Sequence, residues 1–479
     1  MNTEHVTTIP SSAKARRNPP PSRKRVVPRR RKKNKKKRAS AVLRIKQQRK
    51  LRHIRRDYQR LRATVFCLFT RQEVEQLAVS CGFCQREAKK IFPFEFVLCC
   101  MLGCMLEDKR GFASIWRLLA AAAGIVVARS AVTGRFGQGS ARMMEALFIR
   151  AVARLPQPAP PDLLGKLERF KQVLAQDGSV LQLAPVLKKL FPATRTNSMA
   201  AAGKIHATAD VVHRRFTAVT LTGERDSELQ QAQEQGIKAG ALYIRDLGYN
   251  CYDEFASMIA EDADLLMRLK SNANPTVVRV RHGVVRPRRA EGMKFQDLSF
   301  CKTRDTFDLQ AEFASFDGAT TELRVVGRYN PQTDKYHTYV TTLSAEAFSV
   351  EEIAVLYSLR WVIELLFKLA KSSCHLDHLD TGNPDAIRTH IYASLLAATV
   401  LSAVVYAAAQ SAGIPVSDIS LLTVGIAAPL LVIPLMILWG QRELSYDELA
   451  AMIVRMVVHG CRDQNPARTT EQWGVLGAR

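Results

Sequence analysis

Negative charge is nearly absent from the first 62 residues, where Glu4 and Asp57 stand against 24 lysines and arginines. Such a segment cannot neutralise itself, and its like charges keep it extended until it meets a polyanion. No apolar run follows the block Arg29–Arg38, so it does not read as a secretory leader. Regular cysteine spacing is also missing. Ten cysteines scattered over 479 residues exclude a disulfide framework, and reduced thiols in a cytoplasm are the expected state. No internal repeat is present, which excludes a solenoid or propeller. Charge is missing altogether from residues 419–440, a length that would span a bilayer. Pro429 and Pro434 interrupt that run and no stop-transfer pattern surrounds it. It is expected to be packed helical core, with a membrane protein bearing a basic tail as the rival reading.

What is present is a globular chain with a basic tail. Hydrophobic residues make up 47%, too many for wholesale disorder, and the length suits two to four domains. Of the net charge of +26, little lies beyond the tail, since residues 63–479 carry 46 bases and 42 acids. DNA phosphate is the natural partner for residues 1–62, with an affinity that falls steeply as salt rises. A nuclear-localisation signal is the lesser reading of the same block. From Ala41 the bases alternate with Leu43, Ile45, Leu51, Ile54 and Leu61, a pattern suited to a helix formed on DNA.

The strongest pattern lies at residues 349–371, read as one helix with an explicit start. Ser349 and Glu352 form a capping box, with Phe348 and Ile353 placed as a hydrophobic staple. On a helical wheel Tyr357, Arg360, Glu364 and Lys371 share an arc of about 60°, with Trp361 and Lys368 beside it. Leu356, Leu359, Val362, Ile363, Leu365, Leu366, Phe367, Leu369 and Ala370 fill most of the remaining circumference. A helix so widely apolar is buried. Its polar strip then lines a cleft rather than facing bulk water, because buried charges need partners.

Before this helix, residues 63–160 read as helical, and Arg129–Arg142 has the small, basic look of a helix-turn-helix. Four prolines in Leu155–Pro161 mark a boundary. In Gln172–Leu183 an apolar run ends at Asp177-Gly178 and a second begins, the pattern of a hairpin with Asp177 at a strand end. Strand-like runs come next at Lys204–Val212 and Phe216–Thr222, then a polar helical segment, then the strand Ala241–Arg245 ending in Asp246. Asp264–Lys270 reads as one more strand. Residues 276–345 form a β-rich insertion, and 411–479 a C-terminal helical region. Taken singly, each Asp before a Gly is an ordinary turn former. Two metal readings are weak. Cys81, Cys84, Cys99, Cys100 and Cys104 read as small buried residues rather than a zinc set, and His375 with His378 lacks the glutamate of a metalloprotease helix.

The spacing Y-x-x-R-x-x-x-E-x-x-x-x-x-x-K, met by Tyr357, Arg360, Glu364 and Lys371, resembles the signature of the insertion-sequence-four family of bacterial DDE transposases. Gly82-Phe83-x-x-Arg86, Asp177-Gly-Ser, Lys204-Ile-His and Asp246-Leu-Gly-Tyr249 are similar to family segments in the same order. The resemblance covers about residues 65–410 and omits the basic tail. It implies an α/β fold with an RNase H-like core split between 161–275 and 346–410, interrupted by the insertion, with a DNA-binding helical region at 63–160. It implies metal-dependent DNA cleavage and strand transfer, with Asp177, Asp246 and Glu364 as catalytic acids holding two Mg²⁺ or Mn²⁺ ions. Asp210, Asp226 and Asp253 are rivals for the second acid. Tyr357, Arg360 and Lys371 are implied to contact DNA backbone, and Trp361 either stacks on a displaced base or packs in the core. The implied partners are terminal inverted repeats, target DNA and a second copy of the chain on paired ends, in a bacterial cytoplasm, with no membrane. A catalytically dead DNA-binding descendant is the alternative.

Overall fold

The computed structural model describes residues 59–440, apart from 62, 85–90, 107–111, 122–123, 156–165, 195–199, 250, 302–304, 317, 378, 380 and 414–418, together with 46 and 48. The chain divides into the units Met1–Arg56 and Asp57–Arg479. The basic tail, Arg86, the proline-rich boundary and the segment 441–479 therefore lie largely or wholly outside the described residues.

A sheet of nine strands runs through the second unit in the order β3-β2-β1-β4-β5-β9-β8-β7-β6. β1 (Gln172–Leu183) is its organising strand. It pairs antiparallel with β2 (Ala201–Asp210), which pairs antiparallel with β3 (Arg215–Gly223). On its other side β4 (Ala241–Arg245) runs parallel, and β5 (Asp264–Arg268) runs parallel to β4. Three antiparallel strands and then two parallel ones, in the order 3-2-1-4-5, make an RNase H-like core in a mixed α/β protein. The crossovers carry α6 (Glu228–Glu234) and α7 (Tyr252–Ala260), as parallel neighbours require.

The expected hairpin at Asp177-Gly178 does not form. β1 continues straight through, with Asp177 opposite Ala207 and Gly178 opposite His206. Asp-Gly favours a turn only locally. Here β2 pairs with β1 from Leu174 to Leu183, straight past Asp177-Gly178, and that pairing outweighs the local preference.

The insertion is not a separate layer. β6 (Thr276–His282), β7 (Thr306–Ala314), β8 (Thr320–Asn330) and β9 (Lys335–Thr341) are antiparallel neighbours, and β9 returns beside β5 to extend the core sheet. Arg324 of β8 ties this extension to the segment 343–348. It is paired with buried Asp308 at 2.9 Å and donates to the carbonyls of Leu343, Ser344 and Phe348 at 3.1, 3.2 and 2.8 Å. The chain is thus clamped just where the next helix begins.

That helix starts as expected. Ser349 and Glu352 complete the capping box of α8 (Val350–Ser358), and Phe348 and Ile353 are buried. It does not run to Lys371. The backbone tightens at Leu359 and Arg360 through bonds to residues three back, Arg360 to Tyr357 and Ile363 to Arg360 among them. A new helix, α9 (Trp361–Lys368), takes over and loosens into a π turn at Leu369–Ser373. No proline or glycine marks this break. Burial decides it: Ile363, Leu366 and Phe367 sink into the core, each worth about 1.5–3 kcal/mol, and Phe367 packs on Phe216 of β3 at 5.6 Å between rings.

The remaining helices flank this core. α1 (Arg71–Ser80), α2 (Pro93–Gly103), α3 (Phe112–Ala121), α4 (Arg129–Thr133) and α5 (Gln138–Arg154) precede the sheet. α4 has only five residues, so the basic helix pair read at Arg129–Arg142 is one short and one long helix. α10 (Pro384–Ala412) begins on Asn383, whose side chain accepts from Asp385 and Ala386, and ends at Gly413 in the left-handed region. It is the one described helix long and apolar enough to cross a membrane, and 89% of its apolar window is buried inside the fold. It packs along α5, where Tyr392 donates to Glu145 at 2.7 Å. α11 (Leu421–Gly440) accommodates Pro429 and Pro434 without interruption, unlike the break expected from sequence.

Candidate active site: three acids around one arginine

The register of the parallel strands builds the first half of the site. Gln176 lies opposite Arg245, so the next residue on each strand is an acid, Asp177 and Asp246. Beneath them Arg245 is fully buried between Gln176 at 2.5 Å and Glu254 at 2.9 Å. A buried pair of this kind holds the strand ends in one arrangement, because losing either partner strands a charge.

The second half comes from α8 and α9. Tyr357 donates its hydroxyl to Asp246 Oδ1 at 3.2 Å, and its ring packs on Tyr339 of β9 at 5.0 Å. Arg360, in the tight turn between the helices, donates from Nη1 to Asp177 Oδ2 at 3.0 Å and from Nη2 to Glu364 Oε1 at 2.5 Å. Lys371 donates to the Val180 carbonyl of β1 at 2.9 Å. Tyr357, Arg360 and Lys371 thus meet β1 or Asp246, and Glu364 joins them through Arg360, although the helix carrying them is broken.

The electrostatics are unbalanced. Burial pushes the Asp177 carboxyl up to about 6, with Glu228 and Asp246 adding to the rise and the Gly178 amide and Arg360 opposing it. Burial likewise raises the Tyr357 hydroxyl, helped by Asp246, and lowers the Lys371 ammonium. Arg360 Nε is buried without a hydrogen-bond partner, so the guanidinium is incompletely satisfied where it stands.

Among the described residues no three His, Cys, Asp or Glu side chains are gathered as a ready metal site. The donor set nevertheless fits a cation. A single guanidinium bridges Asp177 and Glu364, so positive charge already occupies the space between them. Carboxylate oxygens with no nitrogen or sulfur donor suit a hard divalent ion.

The rival acids are engaged elsewhere. Asp210 is buried and accepts from His213 at 2.7 Å, Asp226 accepts from the Gly223 amide, and Asp253 accepts from the Phe316 amide. Trp361 is 58% exposed at the start of α9, which removes core packing as its role. Cys99, Cys100 and Cys104 are buried free thiols, raised well above their usual range by burial. His375 bonds the Cys104 carbonyl at 2.8 Å, and His378 lies outside the described residues. Glu228 was not singled out from sequence, yet it reaches the Asp177 step. It sits in a polar helical segment with no pattern to flag it.

A sheet of this order, with one acid in the middle of β1 and another just past the end of β4, defines the RNase H-like class of enzymes. Within it, residues 168–400 match the family described as Transposase DDE domain, and the chain is similar to transposases of insertion sequences. A transposase for insertion sequence element IS231F from Bacillus thuringiensis subsp. israelensis is 23% identical over 276 residues, covering 50% of this chain and 58% of that one. The IS231C transposase of subsp. berliner is 20% identical over 70% of this chain and 77% of its own length. A putative transposase InsL for IS186A from Escherichia coli strain K12 is 41% identical over 66 residues, 14% of this chain and 18% of that one. Among solved structures, the piggyBac transposase in a synaptic complex with hairpin DNA aligns over 82% of this chain and 85% of its own, at TM-score 0.48 and 11% identity.

Proposed function

We propose that this chain is the transposase of an insertion sequence, which cuts DNA at the element's ends and joins the freed ends to target DNA. The observation that carries this is that Arg360 links Asp177 to Glu364 while Tyr357, one turn before it, bonds Asp246. Those acids are the ligands of divalent cations, Mg²⁺ or Mn²⁺. Held by those residues, such ions would supply activation of water or of a DNA 3′-hydroxyl and charge stabilisation for displacement at phosphorus.

The chain's own residues prepare that chemistry. Arg360 keeps Asp177 and Glu364 together before cations bind, then turns its donors to backbone phosphate, for which a planar fork is suited. Its unpartnered Nε supports such an exchange. Tyr357 holds Asp246 in orientation. Lys371 adds a point charge toward the same DNA strand, and exposed Trp361 offers a face on which a displaced base stacks. The tail of residues 1–62 supplies non-specific attraction to duplex DNA. Both ends are cut within a homodimer, acting in the cytoplasm on nucleoid DNA.

The test is direct. Purified protein is incubated with DNA carrying the inverted repeats that flank its gene, with Mg²⁺ or with EDTA. Cleavage at the repeat boundary only with Mg²⁺ is the expected result. Cleavage in EDTA, or no cleavage with Mg²⁺, refutes the reading.

A further inference from the structure

The Asp177 step meets a second carboxylate, which three acids alone do not explain. Gly178 comes directly after Asp177 within β1, and Gly248 lies two residues beyond Asp246. A Cβ at position 178 would stand 2.7 Å from Glu228 Oε1, and one at position 248 would stand 3.1 Å from Glu228 Oε2. Neither glycine has a positive φ, so backbone conformation does not demand them. What each missing side chain provides is room, and the Glu228 carboxylate fills both spaces. Glycine inside a strand commonly marks such a close approach.

Alternate residues of a strand face opposite sides. Asp177 looks toward Arg360 and α9, so Glu228 on α6 comes to the same step from the other face. Lys204 of β2 pairs with it at 3.4 Å, and the two side chains are 15% and 30% exposed. Glu228 is also among the charges that hold the Asp177 carboxyl up.

We propose that Glu228 is a fourth acid of the centre, adding negative charge to the cation site of Asp177 and Asp246, with Lys204 balancing that charge while no cation is bound. This rests on the cation-dependent reading above. The competing explanation is an ion pair that merely fastens α6 to β2. The two differ in sign. If Glu228 draws the cation, removing its charge weakens cation binding and removing Lys204's charge strengthens it. If the pair is only a fastener, both changes destabilise the fold and leave cation affinity alone.

The experiment titrates Mn²⁺ alone into the full-length chain, following free Mn²⁺ by electron paramagnetic resonance, with a thermal midpoint for every variant. Glu228→Gln is expected to weaken Mn²⁺ binding about tenfold, while Lys204→Gln tightens it. Glu228→Asp, which keeps the charge on a shorter arm, is expected to bind more tightly than Glu228→Gln and serves if the latter does not fold. Unchanged Mn²⁺ affinity in both Glu228→Gln and Lys204→Gln, with lowered midpoints, overturns the proposal. Equal Mn²⁺ binding by the wild type and Asp177→Asn would instead overturn the cation centre itself.

Discussion

Replacing Asp177 with Asn should make the cation-free protein more stable at neutral pH while destroying its activity. The Asp177 carboxyl titrates at about 6 rather than the usual 3.8, burial being the largest cause and outweighing the nearby Arg360. A carboxyl raised by folding contributes stability while protonated. That contribution is whole below about pH 4 and is lost as the pH climbs through about 6. At pH 7 the fold therefore carries an ionised group that it disfavours. At about 1.4 kcal/mol per tenfold change in proton affinity, the ceiling is about 3 kcal/mol. The side chain is 22% exposed, and solvent screening brings the expected gain to about 1–2 kcal/mol. Asn keeps the shape, but its single oxygen accepts from either Arg360 or the Gly178 amide and not from both, which places the gain toward the lower end of that range. Urea unfolding in EDTA should show Asp177→Asn more stable than wild type at pH 7, with the difference closing toward pH 4. A variant less stable at pH 7, or a difference that ignores pH, would refute the reasoning.

Deleting residues 1–62 should flatten the salt dependence of DNA binding, because fewer counterions are released, while leaving preference for end DNA intact; equal salt slopes would count against it. Arg360→Ala should slow cleavage by about 10- to 100-fold, the cost of losing charge-assisted bonds, and Lys371→Ala by less, as read from single-turnover rates on end DNA. Asp226→Ala and Asp253→Ala should cleave normally. Asp210→Ala should instead lower the thermal midpoint, since it leaves partly buried His213 and buried Arg215 without their acid.

Much of the site was legible because its residues sit in strong local patterns. The run Ala241–Arg245 is a buried parallel strand, and Asp246 is the first residue beyond it. The capping box at Ser349 formed as read. Tyr357, Arg360 and Glu364 are partly buried and hydrogen-bonded within the group of Asp177 and Asp246, while Ile363, Leu366 and Phe367 face the core and Val355 and Trp361 are exposed. What escaped the reading depends on contacts between distant segments. The Asp177-Gly178 pair looks like a turn until β2 pairs alongside it. The break at Leu359–Arg360 carries no proline or glycine and arises from how α8 is clamped by Arg324 and α9 by Phe216. Glu228 is invisible for the same reason, since the glycines that admit it belong to other strands and loops.

Asp177, Asp246 and Glu364 are assigned a joint action on the DNA backbone. That assignment is tested by Mg²⁺-dependent nicking of labelled end DNA by wild type and by Asp177→Ala, Asp246→Ala and Glu364→Ala, with binding measured in parallel. Loss of nicking in all three variants, with end binding close to wild type, is the predicted result. Robust nicking by any of the three would contradict the assignment.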